Sequence, residues 1–372
     1  MGKAQLTFSL SLSLSLLAVI ALIAVVVGVV AGRAPGGSSD RGGGGSGGAA
    51  AGTEVDVIIK ASSSPYWQTM RAGSLMAAND FGVDVDVFGP AQEIDVPAQV
   101  LNLISREVDA VVLAPNSSDA LNNVIKRARK AGIKVIVVDT GVTTDSDGVI
   151  ATDNIKAGEQ AGSTLCDLAR AQSKATGSVL IESSVAGAQT IKERETGFRR
   201  GLAASCPGLE VATTRYNRDS TDQAVSDVND VLTANPSLVG IFASNVTSGV
   251  GAARAVRDNN AADTIPVVAF GTDPQGNVAL ADGSIDALIV QNPYFLGYQS
   301  VIEASMASVG SLPPPTLDPG AIVATTKNMN DATVKPLLNP PSAKTSSARP
   351  AYRDGHDDEG ASAGDASVQA GR

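Results

Sequence analysis

The sequence contains few aromatic residues, a single histidine and two cysteines, and it has no excess of positive charge. The histidine, His356, lies in a polar C-terminal segment, which excludes histidine-based catalysis and most histidine-bearing metal sites from the folded region. The cysteines form no CxxC pair, so no zinc or redox motif is indicated. The net charge of -10 argues against nucleic-acid binding, which needs a basic surface.

What the sequence does contain is two successive runs of short apolar, β-rich segments that alternate with helical patterns. Such alternation is typical of parallel sheets covered by helices on both faces. Open parallel sheets bind ligands beyond the carboxyl ends of their strands, and two such sheets that face each other form a cleft. The first run predicts strands at 55–59, 83–88, 109–114 and 133–138, and the second at 178–181, 238–242, 265–270 and 285–290.

The helical patterns between these strands begin and end at recognisable residues. Ser64 and Pro65 are a typical helix start, with a capping serine before a proline at the first helical position. Helices are predicted at 65–81, from Asp95 onward, from Ser117 or Ser118 to Gly132, and at 155–169, 189–204, 221–234, 248–259 and 294–308.

Both ends of the chain differ in composition from the part between them. Residues 1–33 hold a long apolar run after Lys3, which indicates either a cleaved signal peptide or a retained membrane anchor. Either alternative predicts a folded part outside the cytoplasm. Residues 34–52 are mostly Gly, Ser and Ala and predict a flexible linker, and residues 339–372 predict a disordered tail.

The two cysteines leave two alternatives open. Cys166 falls on the first predicted helix of the second run, and Cys206 follows the end of the next helix. An exported protein favours a disulfide, and packed helices can bring the two residues together. Two free, buried thiols are the other alternative.

An aromatic pair lies in the first loop that follows a predicted strand. Tyr66 and Trp67 follow Ser64 at a helix start, beside the expected cleft. Flat aromatic faces suit the C–H faces of a sugar ring, and a nearby serine can bind its hydroxyls. The alternative is that one ring simply packs under the helix.

Five further polar residues follow strands or begin helices at the expected cleft, and they predict hydrogen bonds to a small hydroxylated ligand. Carboxylate, guanidinium and amide groups suit this task, although the aspartates and the asparagine can instead cap a turn or helix and the arginine can form a surface salt bridge. These residues are Asp139, Arg194, Asn245, Asp273 and Gln291.

Motifs of the common enzyme classes are missing. No GxGxxG loop or GxSxG elbow follows a predicted strand, and no GxxxxGK[ST] loop is present. The sequence therefore predicts no catalytic residues, no metal and no cofactor. Paired carboxylates for glycoside hydrolysis stay open, but nothing in the sequence indicates them.

An ordered set of motifs over residues 53–338 resembles the periplasmic sugar-binding proteins of the ribose-binding type, which serve ABC importers. Each motif alone is weak, whereas the set in this order and spacing is specific. The motifs are SPYW at 64–67, DxxxQ at 95–99, DAVVLAP at 109–115, GIKVIVVDTG at 132–141, ATDN at 151–154, ERETGF at 193–198, TANP at 233–236, GIFASN at 240–245 and QNPYFLG at 291–297.

The resemblance implies two Rossmann-like lobes with parallel sheets, joined by a three-crossing hinge in the periplasmic binding protein-like I fold. Lobe 1 would comprise 53–152 and 292–318, and lobe 2 would comprise 153–291 and 319–338. The ligand would lie between the lobes, with Thr152 at the first hinge. The implied partners are a sugar or polyol and an ABC permease, and the protein is expected to be a monomer.

The carried-over ligand positions include two departures from the ribose-type pattern. Ser64, Tyr66, Trp67 and Asp139 would come from lobe 1, and Arg194, Asn245, Asp273 and Gln291 from lobe 2. Thr140 stands where ribose-type members carry an arginine, and Ala114 stands where they carry an asparagine. Two polar contacts are thereby lost, which leaves a sugar, polyol or related hydroxylated molecule as the expected ligand class.

Three functions follow from these observations. The first is a solute-binding protein that delivers its ligand to an ABC importer. The second is a membrane-tethered receptor for a signalling partner, with the N-terminal segment retained as an anchor. The third is a sugar-acting enzyme. A transcription regulator of this fold is disfavoured, because no helix-turn-helix precedes the first strand.

Overall fold

The computed structural model describes residues 52–90 and 108–341. The N-terminal segment with nearly all of the linker, the helix expected from Asp95, and the tail beyond residue 341 lie outside the described residues. The described residues form two α/β lobes, each built on its own sheet, and this confirms the predicted fold class.

Lobe 1 contains a five-stranded parallel sheet with the strand order β2-β1-β3-β4-β5. Its central strands are largely buried and mostly apolar, as parallel strands are, whereas the edge strand at 84–88, with the sequence DVDVF, alternates buried and more exposed positions. Numbered in chain order among the described residues, its elements are β1 (Glu54–Ile58), α1 (Pro65–Phe81), β2 (Asp84–Phe88), β3 (Ala110–Leu113), α2 (Asn122–Lys130), β4 (Lys134–Val138) and β5 (Gly148–Ile150).

Lobe 2 contains a six-stranded sheet with the order β11-β10-β9-β8-β6-β7, in which β11 alone runs antiparallel. Its elements are α3 (Asn154–Ala171), β6 (Gly177–Ser183), α4 (Gln189–Ser205), β7 (Leu209–Tyr216), α5 (Thr221–Ala234), β8 (Leu238–Ala243), α6 (Val246–Asp258), β9 (Val267–Phe270), α7 (Pro274–Asp282), β10 (Ala287–Val290), β11 (Ile322–Ala324) and α9 (Lys335–Leu338). The remaining helix, α8 (Pro293–Ser308), lies between β10 and β11 in the sequence but packs on α1 and the sheet of lobe 1.

The chain therefore crosses between the lobes three times: between β5 and α3, between β10 and α8, and between α8 and β11. The first and third crossings lie side by side. The Ala151 amide donates to the Leu317 carbonyl at 3.0 Å, and the Asp153 amide donates to Asp318 Oδ1 at 3.2 Å. The exact lobe boundaries stay a prediction.

Glycines let two helix pairs approach closely. On α4, a Cβ atom added at Gly197 would lie 2.0 Å from the carbonyl oxygen of Ile155 on α3. On α8, a Cβ atom added at Gly297 would lie 1.9 Å from the carbonyl oxygen of Met70 on α1. Each lobe thus has one helix pair whose backbones touch, and these helices carry side chains of the cleft.

The disulfide alternative is confirmed. Cys166 on α3 and Cys206, directly after α4, are joined by a disulfide with a Cα–Cα distance of 5.7 Å. The bond links the same two helices whose glycines are in contact. A cross-link of this kind restricts the unfolded chain and stabilises lobe 2.

Some elements differ from the prediction. The helix expected from Ser117 or Ser118 begins at Asn122, because Ser117 Oγ instead accepts from the Ala120 amide in a preceding turn. Strands β5, β7 and β11 and helices α7 and α9 were not predicted. β5 and β11 have three residues each, and β7 is a half-exposed edge strand, so none of them has a continuous apolar run.

Candidate ligand-binding cleft

Asp139 anchors the lobe 1 side of the cleft. It directly follows β4 and adopts a left-handed backbone with φ of 66°. Non-glycine residues rarely adopt this conformation, although aspartate tolerates it better than most. Such backbone conformations cluster at functional sites, where the surrounding structure holds them in place.

Lys60, the second residue after β1, forms a buried ion pair with Asp139. Lys60 Nζ donates to Asp139 Oδ2 at 2.7 Å and to Thr140 Oγ1 at 2.9 Å, and Lys60 is 3% exposed. Burial alone would raise the pKa of Asp139, but the charge and hydrogen bond of Lys60 outweigh this effect and lower that pKa. The carboxylate therefore stays ionised and accepts hydrogen bonds.

The aromatic pair lies against this ion pair. Tyr66 OH donates to Asp139 Oδ1 at 3.2 Å, and burial together with the nearby carboxylate raises the pKa of Tyr66 well above 10. Trp67 packs edge-on against Tyr66, with 5.0 Å between ring centroids, and Lys60 Nζ lies 5.6 Å from its ring. Trp67 is buried within the lobe 1 core, whereas Tyr66 is half-buried, so Tyr66 is the more accessible ring.

Arg194 on α4 anchors the lobe 2 side. Arg194 is 8% exposed, so it does not form the surface salt bridge that was its alternative role. Its Nε donates to Asn154 Oδ1 at 2.9 Å, its Nη1 to the Ser244 carbonyl at 3.0 Å and its Nη2 to Gln291 Oε1 at 3.2 Å. The guanidinium carbon lies 3.8 Å from the centroid of the Phe270 ring, a cation–π geometry.

Arg194 of lobe 2 lies near enough to Asp139 and Tyr66 of lobe 1 to influence both electrostatically. After burial and Lys60, the Arg194 guanidinium is a further influence that lowers the pKa of Asp139. It also opposes the rise in the pKa of Tyr66. Asp139 and Tyr66 belong to lobe 1 and Arg194 to lobe 2, so the cleft brings a carboxylate, a phenol and a guanidinium together.

Asn245 and Asp273 lie at strand ends of lobe 2 as predicted, and both cap helices. Asn245 Oδ1 accepts from the Ser248 amide at 2.9 Å, and Asn245 Nδ2 donates to Asp219 Oδ1 at 2.8 Å. Asp273 Oδ1 accepts from the Gly276 amide at 2.6 Å. Both residues therefore cap helices, which was the alternative to ligand binding. Their contact with a ligand stays a prediction.

The remaining predicted residues lie at the lobe connections or at a helix start. Gln291 Nε2 donates to Thr152 Oγ1 at 2.9 Å, which joins the first two crossings. Ser64 occupies the position before α1 with an extended backbone, but its side chain makes no capping hydrogen bond. That part of the capping prediction is wrong.

Sequence reasoning assigned no role to three residues that contact the predicted site residues: Lys60, Asn154 and Phe270. Lys60 could have been found by the rule that selected Asp139, because it closely follows an apolar strand. Lysines in loops are usually solvated, which is why it attracted no attention. Asn154 and Phe270 gave no comparable signal, since their contacts depend on the approach of α3, α4 and β9.

Two negative findings concern the described residues. Within 52–90 and 108–341, no helix combines the length and hydropathy that a bilayer crossing requires. In the same ranges, no group of three or more His, Cys, Asp or Glu side chains is arranged to hold a metal ion.

Comparison with known proteins identifies the family. Residues 55–310 match the family described as "Periplasmic binding protein domain", so the chain belongs to that family. This is a binding-protein family rather than an enzyme family.

Individual relatives show which kind of periplasmic binding protein the chain resembles. The chain is 30% identical over 253 residues to the ribose import binding protein of Salmonella typhimurium, covering 66% of this chain and 82% of that protein. It is 29% identical over 257 residues to the D-allose-binding periplasmic protein of Escherichia coli, covering 66% and 81%. A carbohydrate transporter solute-binding protein from Agrobacterium radiobacter, solved with D-arabinose, is 30% identical with a TM-score of 0.74, covering 78% and 99%. The predicted resemblance to ribose-type binding proteins is confirmed.

Proposed function

We propose that this protein is an extracytoplasmic solute-binding protein that captures a sugar or related polyol between its two lobes and delivers it to an ABC importer. The observation that carries the proposal is the hydrogen-bonded pair of the half-buried Tyr66 and the buried Asp139 on lobe 1 together with the buried Arg194 on lobe 2, in a chain of the periplasmic binding protein family. The names of the relatives, which include ribose import, D-allose binding and a D-arabinose complex, support this ligand class.

The chemistry of the cleft suits vicinal hydroxyl groups. The ionised Asp139 carboxylate accepts hydrogen bonds from hydroxyls, and a guanidinium donates to them. The half-buried Tyr66 ring offers a flat face to sugar C–H groups. A ligand that contacts both lobes favours the closed arrangement, because it gains interactions that neither lobe offers alone.

Other observations support the extracytoplasmic location and the ABC importer as partner. The apolar run near the N-terminus favours export, and the Cys166–Cys206 disulfide favours an oxidising compartment. The relatives are described as import or periplasmic proteins. Cleavage or retention of the N-terminal segment and the monomeric state stay predictions, and mass spectrometry of the mature N-terminus with light scattering would test them.

A ligand panel tests the binding function. Thermal melts of the protein with D-ribose, D-allose, D-arabinose and common polyols should show at least one concentration-dependent rise in Tm. Calorimetry with that compound should give a Kd that Asp139→Asn raises by at least about tenfold, because a charge-assisted acceptor is lost. The surface variant Asp258→Asn is the matched control and should bind like the parent. A flat response to the whole panel would contradict the proposal.

A further inference from the structure

Four buried residues form a closed ring of hydrogen bonds, which includes the backbone carbonyl of Thr152. Arg194 Nε donates to Asn154 Oδ1 at 2.9 Å, and Asn154 Nδ2 donates to the Thr152 carbonyl at 3.2 Å. Gln291 Nε2 donates to Thr152 Oγ1 at 2.9 Å, and Gln291 Oε1 accepts from Arg194 Nη2 at 3.2 Å. All four residues are buried.

The ring joins the cleft to two of the three crossings between the lobes. Thr152 lies in the first crossing, between β5 and α3, and Gln291 lies in the second, between β10 and α8. Arg194 belongs to α4, within lobe 2, and reaches the cleft. Its guanidinium is therefore hydrogen-bonded directly to Gln291 of the second crossing and, through Asn154, to Thr152 of the first.

Asn154 is the member of the ring that accepts a hydrogen bond from Arg194 Nε. It begins α3, and α3 packs on α4 so closely that a Cβ atom added at Gly158 would lie 2.4 Å from the Arg194 carbonyl oxygen. The carboxamide of Asn154 accepts from the guanidinium on one side and donates to the first crossing on the other. A side chain of this length with both an acceptor and a donor is needed to make the two bonds.

We infer that Asn154 is a positioning residue that holds the Arg194 guanidinium in its ligand-binding plane and couples it to the lobe crossings. The inference rests on the proposed sugar-binding function. Asn154 does not need to touch the sugar: it acts through Arg194, so its loss weakens sugar binding although the cleft surface is unchanged.

The first experiment measures sugar affinity in three variants. Asn154→Leu removes both hydrogen bonds, and we expect the Kd for whichever of D-ribose, D-allose and D-arabinose the parent binds to rise by about tenfold. Asn154→Asp keeps the acceptor for Arg194 but loses the donor to the first crossing, so its Kd should lie between those of the parent and of Asn154→Leu. Asp153→Ala is the matched control: it removes the neighbouring cap on the Lys156 amide, so it should lower Tm without moving the Kd.

The second experiment needs no sugar. In a 15N-labelled, sugar-free protein, the Nε–H group of Arg194 should give a resolved, slowly exchanging signal in the parent, in Asn154→Asp and in Asp153→Ala. The signal should exchange rapidly or move to the position of solvated arginines in Asn154→Leu. Arg194→Lys identifies the signal by its disappearance.

The outcomes separate this inference from the binding function. If the parent binds a sugar and Asn154→Leu binds it equally, the positioning role is wrong while the function stands. If the parent binds none of the three sugars, the binding proposal fails for them, and the Arg194 signal still decides the positioning role. An unchanged signal in Asn154→Leu overturns the inference.

Discussion

Lobe 1 and lobe 2 each bring one buried cation to the cleft, but they hold it in different ways. In lobe 1, Lys60 pairs with Asp139, and both residues come from strand ends of the same sheet. In lobe 2, Arg194 is held by carbonyl and amide oxygens and by the Phe270 ring, and its bonds reach the crossings between the lobes. Loss of the first cation should therefore affect the stability of lobe 1, whereas loss of the second should affect the connection of the lobes.

The lobes also differ in how their helices are joined. Both contain a helix pair in backbone contact at glycine, but only lobe 2 adds a disulfide between the paired helices among the described residues. The entropy lost by the unfolded chain through a cross-link of this span, with a sequence separation of 40, stabilises a domain by about 4 kcal/mol. In the described part of lobe 1, packing and hydrogen bonds are joined instead by ion pairs such as Lys60–Asp139 and Arg129–Asp147.

The largest expected difference between the lobes concerns one buried glutamate in each. Burial raises the pKa of Glu182 in lobe 2 to about 8 and that of Glu303 in lobe 1 to about 7. In each, Oε1 accepts one hydrogen bond, from Asn217 or Gln299, while Oε2 is buried without a partner. Above the pKa of an unfolded glutamate, about 4.3, the folded protein keeps protons that the unfolded chain releases. The free energy of unfolding therefore falls as pH rises, up to about pH 7 for Glu303 and about pH 8 for Glu182.

Urea denaturation from about pH 5 to about pH 9 measures this dependence. Glu182→Gln should flatten the curve up to about pH 8, and Glu303→Gln only up to about pH 7. Both variants should be more stable than the parent above their window, since an amide needs no ionisation. If each variant retains the parental slope, the buried carboxyls do not control the pH dependence.

The second prediction concerns the lobe 1 ion pair. Lys60→Met leaves the Asp139 carboxylate buried without its cation, and we expect the free energy of unfolding at neutral pH to fall by about 3 kcal/mol. Because the folded-state pKa of Asp139 is lowered, its stabilising contribution is present above the unfolded pKa and is lost as pH falls through the folded value. The destabilisation should therefore shrink below about pH 4.

Two further variants make this prediction specific. The double variant Lys60→Met with Asp139→Asn should recover most of the loss, because no unpaired charge remains. The exposed Lys192→Met serves as the control and should stay within about 0.5 kcal/mol of the parent. Equal stability of the single and double variants would show that the pair is not coupled.

The smallest expected effect compares the glycine contacts of the two lobes. Gly297→Ala in lobe 1 and Gly197→Ala in lobe 2 each place a methyl group about 2 Å from a backbone carbonyl oxygen, so the helices must move apart. We expect each to lower the free energy of unfolding by about 2 kcal/mol. Gly141→Ala, where a Cβ atom meets nothing within 4 Å, is the control. No loss in either variant would mean that the helix pairs tolerate separation.

Much of the fold could be predicted because the central strands are buried on both faces. β3, β4, β8, β9 and β10 are almost entirely apolar, and they and β1, which contains the buried Asp56, were each predicted to within two residues. β7 escaped because its exposed and buried positions follow no strict alternation, and β5 and β11 are too short to show a pattern. Tertiary pairing, not local sequence, makes these three segments strands.

Cleft residues could be predicted where they directly follow a buried strand. Asp139 and Gln291 follow buried strands, and both lie at the cleft or the crossings as expected. Lys60 also closely follows a buried strand, but it was missed because a lysine in a loop is usually solvated rather than paired with a buried carboxylate. Asn154 was missed because its bond to Arg194 depends on glycine contacts between α3 and α4, which no single segment reveals.

The late position of α8 in the chain has a consequence for biosynthesis. The helix that covers α1 begins at Pro293, after the contiguous stretch from α3 to β10 has been completed. Until α8 has been synthesised, α1 lacks the helix that packs against it. Contacts between segments so far apart in the sequence also form slowly. The later-made half can reach its native arrangement first, apart from an edge strand and a short helix. Truncation before residue 293 should leave the apolar side of α1 uncovered and the N-terminal half prone to aggregation.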